Sequence, residues 1–523
     1  MLQVSNKGFS CRPATQGSRK NMPILIILLV LAVLVLFLAI RQIYYLSSDP
    51  VRDKDFFPHI HHPTKPLDEA PPGLPFSQFA GTINDVTGVN RTAIYGILQI
   101  KTEDDLRNAL RFARQQNLPV SIAGAKHSMG GQEFATDALV LDMRGFNQMS
   151  VDTTGKILTV HSGAIWHHIL EYLNPYSLAV EAMQSFDLPT VGGTISVNAH
   201  GVDYRIGGIA STIQSLRLML ADGSMQTLSR QENSELFQAV VGGYGLFGII
   251  LEAQLTLMEN LSYNEVRSII KTQDFPSAYA KIVSDPSYHL FYARMSTAPS
   301  SFLKEMIVYA YKAAGGPAPV QPLQPEKLVQ LTRFVFNLGR KSYLGREIKW
   351  WAEKNIEPLL QAYPASRNQI MYQSYAFLKN NLPHSTDVLQ EYFVPQDQIL
   401  PFIQGLGDIL QKLGVVTRNA EIRTVHKGNF LLDYAGGDWF GIVLYPNFDV
   451  DERDMRKVSE AHSQLIDLAQ SLGGSFYLPY QLDATRAQID KSYPEFGRFL
   501  ALKKHYDPDL VFTSTFYQRY ATM

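Results

Sequence analysis

The stretch from Pro119 to Gly131 reads P-V-S-I-A-G-A-K-H-S-M-G-G. A short apolar run at 120–123 is followed by small residues, then by Lys126, His127 and Ser128, and then by two glycines. Small residues after a strand let successive backbone N–H groups point at one concavity, which is how a chain binds a pyrophosphate. A phosphate-binding loop does not need a histidine, so the motif alone fits a strand and turn with a surface histidine equally well.

Composition narrows the class of protein. The chain has 523 residues, a formal net charge of −1 and 18% charged residues, which argues against a nucleic-acid-binding protein. Its one cysteine, Cys11, allows neither an internal disulfide framework nor a thiolate zinc site. The H-I-H-H run at 59–62 lies in a proline-rich stretch, so we interpret it as part of a linker and predict no metal site.

The N-terminal region contains an unbroken apolar run from Ile24 to Ile40, preceded by Pro23. With the following residues it reaches the roughly 20 residues that span a hydrocarbon core, and no small-residue cleavage site follows it. We therefore predict an uncleaved single-pass membrane anchor. Four basic residues precede it and three follow, which favours a cytoplasmic N-terminus with the body of the protein on the opposite side.

The residues around the quoted stretch predict a β-α-β unit. A strand-like run covers 94–100, and Thr102 with Asp105 forms a capping box for the helix that follows. The apolar residues of that helix fall on one face, and the strand at 120–123 comes next.

Two motifs carry a resemblance to a known family. The G-x-x-H-S loop at 124–128 resembles that of the vanillyl-alcohol-oxidase type of FAD-binding domain, in which this histidine is bonded covalently to the flavin in several branches. Residues 188–201, L-P-T-V-G-G-T-I-S-V-N-A-H-G, are similar to the G-G-x-I-x-x-x-x-H-G stretch of aldonolactone and alditol oxidases. The small side chains of this second stretch leave its backbone accessible. A flat flavin ring needs such an accessible backbone in order to pack closely against it. Two such motifs in this order predict an FAD site, with a possible covalent bond through His127.

The resemblance implies a set of cofactor-binding residues. From the two motifs these are Ala123, Gly124, Ala125, Lys126, His127, Ser128, Thr190, Gly192, Gly193, Thr194, Ser196, Ala199, His200 and Gly201. The residues Gly243 to Gly248 also match G-x-G-x-x-G, but a helical segment precedes them and an alternating strand follows. A Rossmann fingerprint needs the reverse order, so no nicotinamide site is predicted. The family places this turn beside the flavin, which adds Gly243, Gly248 and Ile250 to the expected cofactor contacts.

Candidate catalytic residues occur in E-I-R-T-V at 421–425. Residues two apart on a strand share a face, so Glu421 and Arg423 are predicted to point in the same direction. An E-x-R pair is usually a surface ion pair. Here the pair follows Q-E-Y-F-V-P at 390–395, and together these segments resemble the substrate domain of alditol and aldonolactone oxidases, where this Glu and Arg line the substrate pocket. One departure is that the family's H-W-G-K element is replaced by residues 474–481, which contain neither His nor Lys.

The predicted fold class is α+β. We expect a tail (1–22), a transmembrane anchor (23–46), a proline-rich linker (47–75), a two-subdomain PCMH-type FAD-binding domain (76–260), a cap with an antiparallel sheet (261–475) and a segment returning to the flavin domain (476–523). The resemblance implies oxidation of a hydroxyl-bearing carbon in a polyol, sugar or aldonolactone, with O₂ or a membrane quinone as electron acceptor. The alternatives are a sterol-type alkene reductase and a flavin-binding protein without catalysis.

The region 327–354 has an unusual composition. It carries seven basic residues against two acids, interleaved with aromatic residues that include Trp350 and Trp351. Basic residues beside aromatics on a helix suit a membrane headgroup layer. The more common arrangement is a helical cap with a buried aromatic face and a solvated basic face.

Overall fold

The computed structural model describes residues 22–49, 56, 62–360 and 363–521. The predicted tail up to residue 21, most of the linker, and His59 and His61 within it lie outside these residues.

The helices and strands up to residue 260 are, in chain order, α1 (Met22–Ser47), β1 (Phe76–Phe79), β2 (Thr82–Ile83), β3 (Thr92–Ala93), β4 (Gly96–Gln99), α2 (Glu103–Gln116), β5 (Val120–Ala123), β6 (Leu139–Asp142), β7 (Met149–Asp152), β8 (Ile157–His161), α3 (Trp166–Leu173), β9 (Leu178–Val180), α4 (Val191–Ser196), β10 (Ile213–Met219), β11 (Met225–Leu228), α5 (Ser234–Val240) and β12 (Ile249–Glu259).

Those of the remaining chain are β13 (Leu261–Lys271), α6 (Phe275–Ser284), β14 (Tyr288–Met295), β15 (Glu305–Pro317), α7 (Val329–Lys341), α8 (Tyr343–Asn355), α9 (Glu357–Leu360), β16 (Ala365–Ser366), α10 (Arg367–Met371), β17 (Ser385–Asp387), β18 (Gln390–Pro395), α11 (Ile399–Leu413), β19 (Val416–Val425), β20 (Trp439–Asp449), α12 (Glu452–Ser471), β21 (Ser475–Phe476), α13 (Arg486–Ser492), α14 (Phe496–Tyr506) and α15 (Thr515–Tyr520).

The first sheet has the strand order β1-β4-β6-β5, and its β4–β6 and β6–β5 pairs are parallel. Helix α2 covers it with a buried apolar face, and the capping box of Thr102 and Asp105 forms as predicted. The outer edge of β5 is occupied by the C-terminal segment: the Val120 amide donates to the Val511 carbonyl at 2.7 Å, and the Thr513 amide donates to the Val120 carbonyl at 2.9 Å. The strand that carries the quoted loop is therefore paired on both sides.

The two larger sheets are antiparallel. One has the order β11-β10-β12-β8-β7 with β9 on β12, and its β10–β11 hairpin turns at Asp222 and Gly223, a residue pair typical of such turns. The other runs β16-β13-β15-β14-β19-β20-β18-β21, with β17 on β20. The α+β fold class with an antiparallel sheet in the C-terminal part is thus confirmed.

Strand β15 is long because it pairs with β13 as far as Leu261 and Pro317. Helices α7 and α8 are separated at Ser342, whose hydroxyl accepts a hydrogen bond from the Gly345 amide at 3.1 Å and so begins α8.

Helix α1 is the one helix in the described residues that is long and apolar enough to cross a membrane, over Ile26–Ser47. From Ile26 onward its apolar side chains are exposed, except at its end, where Leu46 is buried against the rest of the protein.

Candidate active site

A single large cavity connects the predicted motifs. Its volume is about 1680 Å³, above the 300–1,000 Å³ of ordinary small-molecule sites. It is lined by the loop after β5, by α4 and the residues after it, by one face of the nine-stranded sheet, and by α7, α8 and α9. Such a volume has room for a dinucleotide and a second molecule together.

The His127 loop (residues 123–128) forms one wall. All six of its residues line the cavity: Ala123, Gly124, Ala125, Lys126, His127 and Ser128. Burial, helped by the nearby Lys126 charge, lowers the pKa of His127 to about 4, so the imidazole is neutral at physiological pH. Its Nδ1 atom is buried and has no hydrogen-bond partner. A cavity-lining loop with an unsatisfied ring nitrogen indicates a place for a further ligand.

The second motif forms the adjoining wall. The sequence predicted only an accessible backbone here, without a regular element. In the structure the centre of this stretch is the short helix α4, which is capped by Thr190. The predicted contacts that line the cavity here are Thr190, Gly192, Gly193, Thr194, Ser196, Ala199 and His200. A Cβ atom on Gly124 would lie 2.2 Å from Thr190 Oγ1. The two motifs, distant in sequence, therefore touch, and the contact requires glycine.

The structure does not bring every predicted residue to the cavity. Gly248 and Ile250 line it, whereas Gly201 and Gly243 are absent from its walls. A Cβ on Gly201 would lie 2.0 Å from the Met183 carbonyl oxygen, and one on Gly243 would lie 2.1 Å from that of Ala239. These two glycines allow backbone segments to approach. The turn that contains Gly243 joins α5 to β12, and this helix-to-strand order excludes a Rossmann fingerprint.

Glu421 and Arg423 lie on the same face of β19 and both line the cavity. The Arg423 Nε and Nη2 atoms each lie 2.8 Å from Glu421 Oε1. Burial disfavours the charged guanidinium, but the Glu421 and Glu391 carboxylates outweigh that cost and raise the pKa of Arg423. Glu421 is buried and the Arg423 side chain is only 15% exposed, in contrast to the usual surface E-x-R pair.

Sequence reasoning missed Glu391 on β18. Glu391 and Glu421 both pair in register with Val443 of β20, from opposite sides, so the two carboxylates share one face of the sheet. Glu391 Oε1 lies 3.0 Å from Nε2 of His200, and both side chains are buried. An acid inside an otherwise apolar strand was the available signal.

Two tyrosines from the segment that replaces H-W-G-K also line the cavity, Tyr477 and Tyr480. The Tyr477 hydroxyl donates to the Val197 carbonyl at 2.7 Å, which ties this segment to the end of α4. Burial and the Glu391 carboxylate raise the pKa of Tyr480, against an opposing effect of Arg423. Tyr480 therefore stays protonated at physiological pH and remains a hydrogen-bond donor.

These residues fit FAD. The His127 loop offers backbone and an unsatisfied ring nitrogen, and the cavity is large enough. Glu133 also lines it, and burial, with the Asp85 charge, raises the pKa of its carboxyl to about 8. Because Glu133 is then largely uncharged at neutral pH, it does not repel a diphosphate. Within the described part of the chain no cluster of His, Cys, Asp or Glu is placed to hold a metal ion.

Comparison with known proteins gives the class. Residues 95–229 match the family described as an FAD binding domain, and residues 323–520 match the D-arabinono-1,4-lactone oxidase family. The L-gulonolactone oxidase of Mus musculus is 23% identical over 79% of this chain and 92% of its own length. That of Bos taurus is 22% identical over 80% and 92%. Cytokinin dehydrogenase 9 of Oryza sativa subsp. japonica is 30% identical over 29% of this chain and 30% of its own length.

The chain is an FAD-dependent oxidoreductase with a PCMH-type FAD-binding domain. The C-terminal match and the two L-gulonolactone oxidases are consistent with an aldonolactone-oxidase-like protein of the vanillyl-alcohol-oxidase superfamily.

Proposed function

We propose that this protein is a membrane-anchored oxidase that converts the CH–OH group of an aldonolactone, sugar or polyol into a carbonyl, with O₂ as the electron acceptor. The observation that carries the proposal is that the Glu421–Arg423 pair and the His127 loop line the same cavity. The L-gulonolactone oxidases that resemble the chain over most of its length support a lactone substrate.

The residues of the His127 loop and the 190–200 stretch would hold FAD, which would supply the acceptor for a hydride from the carbinol carbon. The residues of the protein bind and orient the alcohol, and they stabilise the negative charge that develops on its oxygen. Arg423 is a fixed cation that stabilises the negative charge developing on the substrate oxygen as its proton leaves. Glu421 holds the guanidinium at 2.8 Å, and its carboxylate is the group on the same face of β19 to which we assign acceptance of that proton. Tyr480 is a further donor for the same oxygen and the candidate replacement for the missing lysine.

The cofactor would lie along the two touching motifs. We assign its contacts to the cavity-lining residues of the His127 loop, to those of the 190–200 stretch, and to Gly248 and Ile250. Gly201 and Gly243 would act indirectly, by letting those backbone segments approach.

Mixing the anaerobic protein with candidate lactones, sugars and polyols tests the function. Bleaching of the flavin spectrum by one of them supports the proposal. Bleaching only by a reduced electron donor, with reoxidation by an alkene, would instead identify a reductase. No bleaching by any donor would indicate a flavin-binding protein without catalysis.

A further inference from the structure

The outward face of α8 is apolar. Leu344, Ile348 and Trp351 are 65%, 37% and 56% exposed, and their spacing places them in one line along the helix. We call these three residues the apolar stripe. Leu331 on α7 and Leu359 on α9 are also exposed, at 54% and 77%. An exposed apolar surface of this kind marks a contact with a partner or a membrane.

The inward face of the same helices is charged. Arg333, Arg340 and Lys349 are buried, and they pair with Asp49, Asp387 and Glu353 respectively. Trp350 is also buried, and its indole N–H donates to Glu305 at 2.6 Å. A cap with a solvated basic face would expose these three basic residues, whereas here they are buried; Trp350 is buried as such a cap would have it. Contact with a membrane would therefore be mainly apolar.

The end of α1 is fixed to this same region. The Asn337 side-chain amide on α7 donates to the Leu46 carbonyl at 2.7 Å, and that of Asn381 donates to the Tyr45 carbonyl at 2.9 Å. Arg333 Nη2 lies 2.6 Å from Asp49 Oδ1. The point at which the apolar helix ends is thus held against α7, which places α7 and α8 at the level of the bilayer surface. Tyr44 and Tyr45 are residue types that favour this layer.

The apolar surface continues into the cavity. Ile348 and Trp351 of the stripe line it, as do Leu331 and Val335 of α7 and Leu360 of α9. Lys349, Arg294, Glu353 and Glu357 also line it. Glu353 Oε1 lies 2.8 Å from Lys349 Nζ and Glu357 Oε1 lies 3.6 Å from Arg294 Nη1, so two cations are paired with two carboxylates. The cavity therefore has an apolar mouth beside the anchor and a charged end at Glu421 and Arg423.

We infer that the α7–α9 surface rests in the interfacial layer of the bilayer and that the cavity opens there to an amphipathic lipid. Its hydroxylated head would reach Glu421 and Arg423, while its hydrocarbon tail would lie along the mouth lined by Leu331, Ile348 and Trp351. The inference that the head of this lipid is oxidised depends on the proposed function. The contact with the bilayer and the route by which the lipid enters do not depend on it.

Fluorescence quenching tests the bilayer contact. The full-length protein is placed in nanodiscs made with phospholipids brominated along the acyl chain. Because Trp351 is exposed while Trp166 and Trp350 are buried, we expect Trp351→Phe to remove most of the quenchable emission. The matched control Trp439→Phe, on β20, should leave the quenching unchanged. Equal quenching in wild type and Trp351→Phe would overturn the contact.

Photolabelling tests the route. The probe is a 1-O-alkylglycerol with a diazirine near the end of its tail, added to full-length protein in phosphatidylcholine nanodiscs. We expect adducts within residues 328–360 that are competed by unlabelled alkylglycerol but not by glycerol. Leu331→Glu should lose them, whereas Val266→Glu should keep them, because Val266 is exposed on β13 and lies neither in the cavity wall nor on α7, α8 or α9.

Adducts confined to α1, or adducts that alkylglycerol does not compete, would overturn the proposed entry. Competition by unlabelled alkylglycerol is measured on the wild-type protein. It therefore tests the proposed entry even if Leu331→Glu fails to fold. Arg423→Ala should retain the adducts. An unaltered rate of flavin reduction in that variant would then reject the proposed function while leaving the lipid entry supported.

Discussion

His127 is placed to act as a nucleophile. Burial lowers its pKa to about 4 and leaves Nδ1 without a partner, so a neutral imidazole with an available lone pair faces the cavity. A protonated imidazole could not attack an electrophilic carbon. The only cysteine, Cys11, lies before the apolar helix α1 in the sequence, so we expect no second link through a cysteine.

A covalent bond between His127 and the 8α carbon of the flavin is therefore predicted. Acid-denatured wild-type protein should keep its yellow colour after gel filtration, while His127→Ala should fold and release its flavin. Release of all flavin from denatured wild type would reject the covalent bond, although FAD binding itself would stand.

Glu133 gives the protein a predicted pH dependence. Its carboxyl has a pKa of about 8 in the folded state because burial, and then the Asp85 charge, disfavour ionisation, against an ordinary value of 4.5. Between these values the folded state binds the extra proton, so the free energy of unfolding falls as pH rises. We expect Glu133→Gln to flatten the fall in melting temperature between about pH 6.5 and 8.5, a window above the ordinary histidine pKa of about 6.5. An equally steep fall in the variant would contradict this assignment.

At the scale of elements, the contact between the His127 loop and the start of α4 organises the site. Because a Cβ on Gly124 would lie 2.2 Å from Thr190 Oγ1, Gly124→Ala should push the two apart. Overpacking of this kind costs about 1–3 kcal/mol, and we expect flavin occupancy to fall. Adding Thr190→Ala should restore part of it. Gly497→Ala, where a Cβ would meet nothing within 4 Å, is the control. Full occupancy in Gly124→Ala would show that the contact is dispensable.

Elements whose signals are local were predictable from sequence. The capping box of α2, the alternation of β19 and the Asp222–Gly223 hairpin each depend on residues a few positions apart. The pairing of Glu421 with Arg423 was predictable for the same reason. Glu391 was not, because it reaches their face only through the β18–β20–β19 register, which joins distant segments. The helix at 191–196 was hidden by its glycines, which are poor helix formers.

At the scale of the whole molecule, the anchor and the catalytic body form one arrangement. The end of α1 is hydrogen-bonded to α7, and α7 lines the cavity. Composition alone placed basic residues at 327–354, but it could not show that three of them turn inward to pair with acids contributed by residues 49, 353 and 387. Which side of an amphipathic helix faces the core is decided by those distant partners.

Membrane insertion follows from this arrangement. The protein should remain in the pellet after alkaline carbonate extraction, and an N-terminal tag should be protected from protease added on the outside of intact cells. Extraction into the supernatant would contradict the anchor. Digestion of the tag with an intact body would reverse the predicted orientation.

The most direct test of the central claim is the anaerobic rate of flavin reduction in Arg423→Ala, measured by stopped flow with the alcohol or lactone that bleaches the wild type. Losing one stabilising group at a developing oxyanion lowers the rate about 10²–10³-fold, and we expect that loss with FAD still bound. Arg217→Ala, which removes a partly exposed arginine paired with Glu103, should reduce its flavin at the wild-type rate. A wild-type rate in Arg423→Ala would contradict the account and leave the Glu421–Arg423 pair a structural ion pair.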